Sequence, residues 1–402
     1  MRIAFISFEY PPDTAVGGIA TYVGQVTAVL QKRGHDVEVF AASSHRNVSE
    51  IENGIYVHRF QTDSRAGFKL LILDKFSQRH ELKYFDIIES PEYFADALEI
   101  KKKYSAVPLI VKLHTPSFLI NRLNNNIPNP QWYKKIRFIL GAWRRFKKPK
   151  KFWYYYKLKD PEFQLTLRAE LVSSPSVSLG QIIRKEWNMA EKKMAVIPYP
   201  FVPSHNLLSI PIIDSHKVIT YFGRLETRKG VEIFAKAIPL ILDKFPDYKF
   251  KLVGKDTFSS THCKFMQGFL SEKLNVYLNK VEFVDHVSAE EIPFLLASTD
   301  ICVFPSLWEN FPNVCLEAMS AGRAIVASKN GGMKDMLQKE NAGILINPYS
   351  SMEIVNAVSY LINNPEEKLS MAKRARKKVL DEYSSDKIGA LIESELLKII
   401  KV

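Results

Sequence analysis

The chain has 402 residues, 46% of them apolar and 25% charged, the composition of an ordinary globular protein and not of a disordered or fibrous one. That length exceeds what one hydrophobic core usually serves, so two domains are expected. Three cysteines without a Cys-x-x-Cys pair (Cys263, Cys302, Cys315) argue against a disulfide scaffold and a cysteine-based zinc site, and no apolar run reaches the roughly 18–20 residues of a membrane span.

The opening run RIAFISF reads as a strand, and Glu9 follows at once, a pattern unlike a signal peptide. A loop leads to a helical pattern from about Ile19 to Lys32, which Gly34 ends. HDVEVFAA is the second strand, and Tyr56–Phe60, Phe85–Glu89, Leu109–Lys112 and Leu171–Ser173 are further strand-like runs. Helical stretches fall near 66–79, 92–103 and 161–169. Such alternation predicts a parallel sheet covered on both faces. MAVIPYPF closes this unit. Pro198, Pro200, Pro203 and Pro211 then mark a linker and a hinge near 200–211. Beyond it the alternation restarts with HKVITYFG, a helix from about Gly230 to Lys244, and YKFKLVG. VEFVD, DICVFPS, RAIVAS and GILINP follow as strands, and from about Ser350 to Lys401 the pattern is helical, broken near Pro365 and Ser384. The fold class is α/β, with two doubly wound parallel-sheet domains. Ligands of such sheets bind beyond the carboxyl ends of the strands, here in the cleft between the domains.

The chain carries 56 Lys and Arg against 43 Asp and Glu, a net +13, and one segment holds the whole excess. From Ile100 to Lys159 there are 16 basic residues and no acid. Residues 132–156 add ten aromatics, including Trp132, Trp143 and Trp153. Interleaved basic and aromatic side chains suit an anionic membrane surface or a lipid-linked acceptor. The same composition serves single-stranded nucleic acid, or a solvated helical face. Membrane or acceptor contact through 132–159, with no nucleic acid, is the expectation.

Four groups of residues suit chemistry. Gly17 and Gly18 lie between the first strand and first helix, where backbone N–H groups meet phosphates, although a plain tight turn reads the same way. Arg224 and Lys229, in GRLETRKG after a strand, suit a diphosphate, the alternative being a solvated helix start with Glu226 pairing Arg228. Glu309 and Glu317 flank a turn where Pro312 suits the first helical residue, leaving N–H groups near Phe311–Val314 aimed at an anion. Both carboxylates are expected at the ligand end, one for a sugar and one for a ribose. For Glu317 the alternative is an acid complementing the helix dipole. His114 ends the strand LIVKLH, also at the ligand end, where packing or capping is the alternative role. No HExxH, His pair or Asp-x-Asp suggests a metal site.

In this order the motifs resemble glycosyltransferase family 4, retaining enzymes of the GT-B fold. The matching runs are EYPPDTAVGGIATYV, RGHDVEVF, the strand ending in His114, and VSSPS at 172–176. YFGRLETRKG, FPSLWENFPNVCLEAMSAGRAIVAS with its Glu-x7-Glu spacing, and Gly331–Gly332 complete them. The sequence departs from the family pattern at Ala324, Lys334–Asp335 and Lys255–Asp256.

The resemblance implies two Rossmann-like domains facing across a deep cleft. Residues 1–205 would form the acceptor-side domain, 206–384 the nucleotide-sugar domain, and a helix at 385–402 would pack back on the first. Gly17 and Gly18 would lie against the donor diphosphate and His114 would face the reacting centre. Arg224 and Lys229 would neutralise the leaving group. Glu309 and the backbone of Asn310, Phe311, Pro312, Asn313 and Val314 would hold the sugar, Glu317 the ribose, and the backbone at Val287 the base. The implied activity is retaining, metal-independent and cofactor-free transfer of a hexose from a nucleoside-diphosphate sugar, UDP-glucose or similar. The acceptor would be a hydroxyl of a glycan or lipid-linked molecule, in polysaccharide or glycolipid synthesis at the cytoplasmic face of a membrane. A sugar-nucleotide epimerase and a non-catalytic nucleotide-binding subunit are the alternatives on the same fold.

Overall fold

A computed structural model of the chain describes residues 1–14, 17–125, 132–144, 155–212, 216–259 and 261–400. The first domain is built on eight strands: β1 (Arg2–Ile6), β2 (Asp36–Ser43), β3 (Val48–Glu52), β4 (Ile55–Gln61), β5 (Ile87–Pro91), β6 (Leu109–Lys112), β7 (Leu171–Ser174) and β8 (Met194–Val196). They lie in the order β3-β4-β2-β1-β5-β6-β7-β8. Every neighbouring pair is parallel except β3–β4. β1, β5, β6 and β7 are buried along their whole length, as strands covered on both faces must be. β3 corrects the all-parallel expectation. It forms an antiparallel hairpin with β4 through Asn53 (φ 52) and Gly54 (φ 82), the two left-handed residues of a tight turn.

The helices described in this domain are α1 (Gly18–Lys32), α2 (Arg65–Leu82), α3 (Leu98–Lys103), α4 (Ser117–Asn125), α5 (Trp132–Trp143), α6 (Pro161–Arg168) and α7 (Val177–Trp187). α4, α5 and α7 were not among the expected helices. α7 starts at Ser176, whose hydroxyl accepts from Leu179 N, and stops at the left-handed Asn188.

The segment 197–212 holds the short helix α8 (His205–Leu208) and is strapped down rather than free. Arg376 donates to the carbonyls of Leu208 (3.2 Å) and Ile210 (2.7 Å), and Arg323 donates to those of Pro211 and Thr299. Prolines remove backbone donors, so these carbonyls have no ladder and are satisfied by arginines instead.

The second sheet has β9 (Val218–Phe222), β10 (Lys249–Val253), β13 (Val281–Val284), β14 (Ile301–Phe304), β15 (Ala324–Ser328) and β16 (Ile344–Ile346), all parallel in the order β13-β10-β9-β14-β15-β16. A two-residue hairpin, β11 (Phe258–Ser259) and β12 (Lys264–Phe265), stands apart. Around the sheet lie α9 (Val231–Leu242), α10 (Met266–Lys273), α11 (Ile292–Ala297), α12 (Asn313–Ser320), α13 (Gly332–Leu337), α14 (Ser351–Asn363) and α15 (Pro365–Glu382). α16 (Ser385–Ile400) returns to α1. Its Gly389 allows the approach, since a Cβ there would come within 2.6 Å of Val29 Cγ1. Glu393 pairs with Arg33 (2.5 Å) and His35 (3.2 Å). Apolar packing crosses between the domains through the rings of Tyr199, Phe311 and Tyr383. Among the described residues no helix is long and apolar enough to cross a membrane.

Candidate active site

The carboxyl ends of β1, β6 and β14 open onto one cavity of about 450 Å³ between the domains. Two helix N-termini meet there. α1 begins after Gly17 and α12 after Pro312, and neither has a side-chain cap or an acid in its first turn. Free backbone N–H groups and the positive ends of two helix dipoles therefore face the same space. A Cβ on Gly17 or Gly18 would meet nothing within 4 Å, so these glycines keep room in the cavity. Pro312 (φ −75, ψ 125) stands one position before the helix and not in its first turn.

Lys229 lies at the end of a short turn, Thr227–Lys229, closed by Gly230 (φ 73). A Cβ at Gly230 would sit 1.9 Å from the Pro305 carbonyl oxygen, so only glycine lets this turn press against the end of β14. Lys229 Nζ then reaches Glu309 Oε1 at 2.5 Å, and Arg228 reaches the same oxygen at 3.4 Å. Glu309 is backed by Gly331 (φ 82) and Gly332, whose absent Cβ atoms would lie 2.0 Å from the Glu309 backbone carbonyl oxygen and 1.5 Å from that of Asn310. Burial alone would push the Glu309 carboxyl up, but Lys229 and Arg228 outweigh it and hold the group below the usual carboxylate range.

On the opposite wall His114 is buried. Its backbone N–H donates to both oxygens of Glu92 (2.9 and 2.8 Å), and its ring Nδ1 lies 2.7 Å from the Tyr199 hydroxyl. Burial, with a lesser push from Lys112, lowers its pKa to about 3, so the ring is neutral under ordinary conditions. A Tyr199 hydroxyl donating to Nδ1 leaves the ring hydrogen on Nε2, which has no partner among the described residues. The two walls touch through Asn310. Its amide donates to the His114 carbonyl, and its oxygen accepts from Ser176 Oγ at 2.8 Å. Beside this bridge Asp335 Oδ2 accepts from Ser178 N (3.0 Å), so an aspartate that departs from the family pattern caps α7 of the first domain from the second.

Residues 16–203 match the model of Glycosyltransferase Family 4, and residues 209–378 match that of Glycosyl transferases group 1. The chain belongs to glycosyltransferase family 4. An uncharacterized glycosyltransferase of Methanocaldococcus jannaschii is 25% identical, with 97% of this chain and 96% of that one covered. Among solved structures, sucrose-phosphate synthase of Thermosynechococcus elongatus superposes with a TM-score of 0.73 at 19% identity, covering 100% of this chain and 99% of the other. HepE of Anabaena in complex with UDP-glucose gives 0.65 at 19% identity, covering 99% and 100%. The GT-B fold is shared with both.

In this glycosyltransferase the cavity brings together Gly17, Gly18, His114, Lys229 and the segment from Glu309 to Val314. The other expected residues lie off its wall. Arg224 is 55% exposed and pairs with Glu226 at 3.2 Å. Val287 packs half-buried against the core. Glu317 sits one turn inside α12, its Oε2 buried without a partner among the described residues, and burial pushes its carboxyl up to about 7. Sequence reasoning placed Arg228 only in a pair with Glu226, which forms at 2.9 Å, and passed over Glu92, Tyr93 and Tyr199. Glu92 and Tyr93 directly follow β5, a ligand-end position that topology alone marks, whereas Tyr199 lies in the linker and carries no local signal. Among the described residues no group of three or more His, Cys, Asp or Glu side chains is arranged to hold a metal ion.

Proposed function

We propose that this glycosyltransferase moves a hexose from a nucleoside-diphosphate sugar, UDP-glucose or a close analogue, to a hydroxyl of a glycan or lipid-linked acceptor. The transfer proceeds with retention and without a metal. The observation that carries the reading is the convergence of two uncapped helix N-termini and Lys229 on one cavity. That convergence fits a diphosphate, and the solved complex of HepE with UDP-glucose supports the donor class. As the glycosidic bond breaks, negative charge grows on the diphosphate, and groups already aimed at it stabilise the transition state by roughly 3–4 kcal/mol each. Lys229 leaves Glu309 for the phosphate, and Glu309 accepts the sugar hydroxyls. Arg224 is free to join, because an exposed pair such as Arg224–Glu226 is worth only about 0–1 kcal/mol. His114 offers Nε2–H to a sugar hydroxyl, and the orphaned carboxyl of Glu317 accepts from the ribose. Retention is inferred from the resemblance to the family and not from any one residue. With fixed cations and dipoles present, a divalent metal has little to add.

The same reading puts the enzyme in the cytoplasm, held at an anionic membrane by the basic segment 132–159. On α5, Ile136, Leu140 and Trp143 stand exposed along one face. Arg145, Lys147, Lys148, Lys150, Lys151 and Trp153 lie outside the described residues. The test is a thermal-shift panel of nucleoside-diphosphate sugars with EDTA, followed by release of the diphosphate. A ligand at 100 times its dissociation constant stabilises by about 2.7 kcal/mol. Stabilisation and hydrolysis with UDP-glucose or a close analogue are expected. No shift and no hydrolysis across the panel would end the reading.

A further inference from the structure

One stretch of the cavity wall is unused by the donor reading. Glu9, which follows β1, and Tyr93, which follows β5, both line the cavity on the first domain's side. Arg65 ties them together. Its guanidinium reaches Glu9 Oε1 at 3.1 Å and lies 5.3 Å from the centre of the Tyr93 ring. The Tyr93 hydroxyl makes no hydrogen bond among the described residues, and the Glu9 side chain is 14% exposed.

The backbone beside Tyr93 is strained. Phe94 (φ 61) and Ala95 (φ 54) are consecutive left-handed residues without glycine. The turn is forced from three sides. Phe94 N donates to Glu162 at 2.9 Å, the Phe94 carbonyl accepts from Lys69 at 2.5 Å, and Ala95 N donates to the Glu92 carbonyl at 2.8 Å. Conformations of this kind persist where surrounding structure over-determines them, and they cluster at active sites, ligand clamps and switch regions.

We infer that Glu9 and the Tyr93–Ala95 turn form the acceptor subsite, and that it takes an uncharged polyhydroxylated ring, such as the terminal sugar of a glycan, in preference to a phosphate-bearing acceptor. A carboxylate accepts ring hydroxyls, and an aromatic ring packs on the apolar face of a sugar. Among the described residues the cations at this wall are already engaged, Lys69 with the Phe94 carbonyl and Arg65 with two carboxylates. Arg65 is shared between Glu9 and Asp96 (3.0 Å), so neither it nor Lys69 is left over to pair with an incoming phosphate. Burial raises the Glu9 carboxyl above its ordinary value despite Arg65, and a phosphate alongside would oppose its ionisation further. Lys229, the one Lys or Arg lining the cavity among the described residues, is committed to the donor side.

The inference rests on the donor reading, and two assays separate them. The first measures nucleoside-diphosphate release from the donor, with and without methyl hexopyranosides or their 6-phosphates. Wild type should be stimulated at least tenfold more by neutral glycosides than by phosphorylated ones. Glu9→Gln should narrow that preference, and both Glu9→Gln and Tyr93→Ala should lower the ratio of transfer to hydrolysis at least tenfold. Calorimetric affinity for free UDP and the melting temperature check that each variant is folded. The second assay reads binding of the same glycosides by saturation-transfer NMR without donor, so it stands even if no donor is hydrolysed. A preference for phosphorylated rings overturns the assignment. So does neutral-glycoside binding unaltered by both substitutions, or no binding of any neutral glycoside.

Discussion

Glu317 allows a prediction whose size follows from its surroundings. Its carboxyl is buried in α12 with one oxygen unpartnered, and burial alone holds the pKa at about 7 against an ordinary 4.5. Between those values the unfolded chain has lost the proton and the folded chain has kept it. Stability therefore falls as pH rises from 4.5 through 7, and the full cost is present above 7. At 1.36 kcal/mol per decade the two values differ by about 3 kcal/mol, of which roughly 2–3 kcal/mol develops between pH 5 and pH 8. Glu317→Gln has no such proton. In urea unfolding at both pH values, the variant should gain roughly 2–3 kcal/mol on wild type in going from pH 5 to pH 8. Taking the difference between the two proteins cancels every other titrating group. Ligand should reverse the balance. If ribose hydroxyls donate to the ionised carboxylate, affinity for free UDP should fall as pH drops below about 7 in wild type and should stay flat, and weak, in the variant. A stability difference that is the same at both pH values would refute the reasoning about burial, and a flat wild-type affinity profile would remove Glu317 from the nucleotide.

Lys229→Ala and Arg224→Ala should each lower turnover roughly 10²–10³-fold in a donor-hydrolysis assay, and near-normal turnover in both would sink the leaving-group assignment. Glu309→Gln should spare the calorimetric affinity for free UDP while weakening donor use; equal loss of both would contradict its place at the sugar. EDTA should leave wild-type turnover unchanged, and a loss restored by Mg²⁺ or Mn²⁺ would overturn metal independence. Sedimentation with anionic vesicles should pellet wild type but not a variant with Arg144, Arg145, Lys147, Lys148, Lys150 and Lys151 changed to Ser, since each basic residue near such a surface adds about 1 kcal/mol. That binding should weaken in 1 M salt as the Debye length shrinks to about 3 Å, and equal, negligible pelleting would rule out membrane docking.

The two sheets were legible because buried parallel strands read as unbroken apolar runs, and RIAFI, LIVK and ICVF have no polar face to confuse the pattern. β3 was missed although Asn53–Gly54 is a strong hairpin signal, because VSEIE is an edge strand with none of its residues buried and no apolar run to mark it. α7 was missed for a different reason: Ser176 and Asn188 mark its ends, but VSSPS had been read as a motif rather than as a helix start. In the site, Lys229, Glu309 and His114 could be found from their positions after strands. Arg224 could be found in the same way, yet its neighbour Arg228 is the one that reaches Glu309, a choice made by the turn before Gly230 that spacing does not reveal. Tyr199, against Phe311, and Asn310, against His114, act across the domain boundary, and contacts between residues so distant in the chain leave no periodic trace.

The return of α16 to the first domain bears on how the protein is made. Gly389 of α16 packs on Val29 and Arg33 of α1, and Glu393 pairs with Arg33, so the outer face of α1 is finished by α16. At ribosomal speeds of roughly 5–20 residues per second, the stretch of about 190 residues between β8 and α16 takes some 10–40 s to appear. Throughout that interval the first sheet can form, but α1 lacks its cover, and apolar surface that the mature protein hides stays open to other chains. The length of that exposure is set by the distance in sequence from α1 to α16, and removing the sixteen-residue α16 would make it permanent.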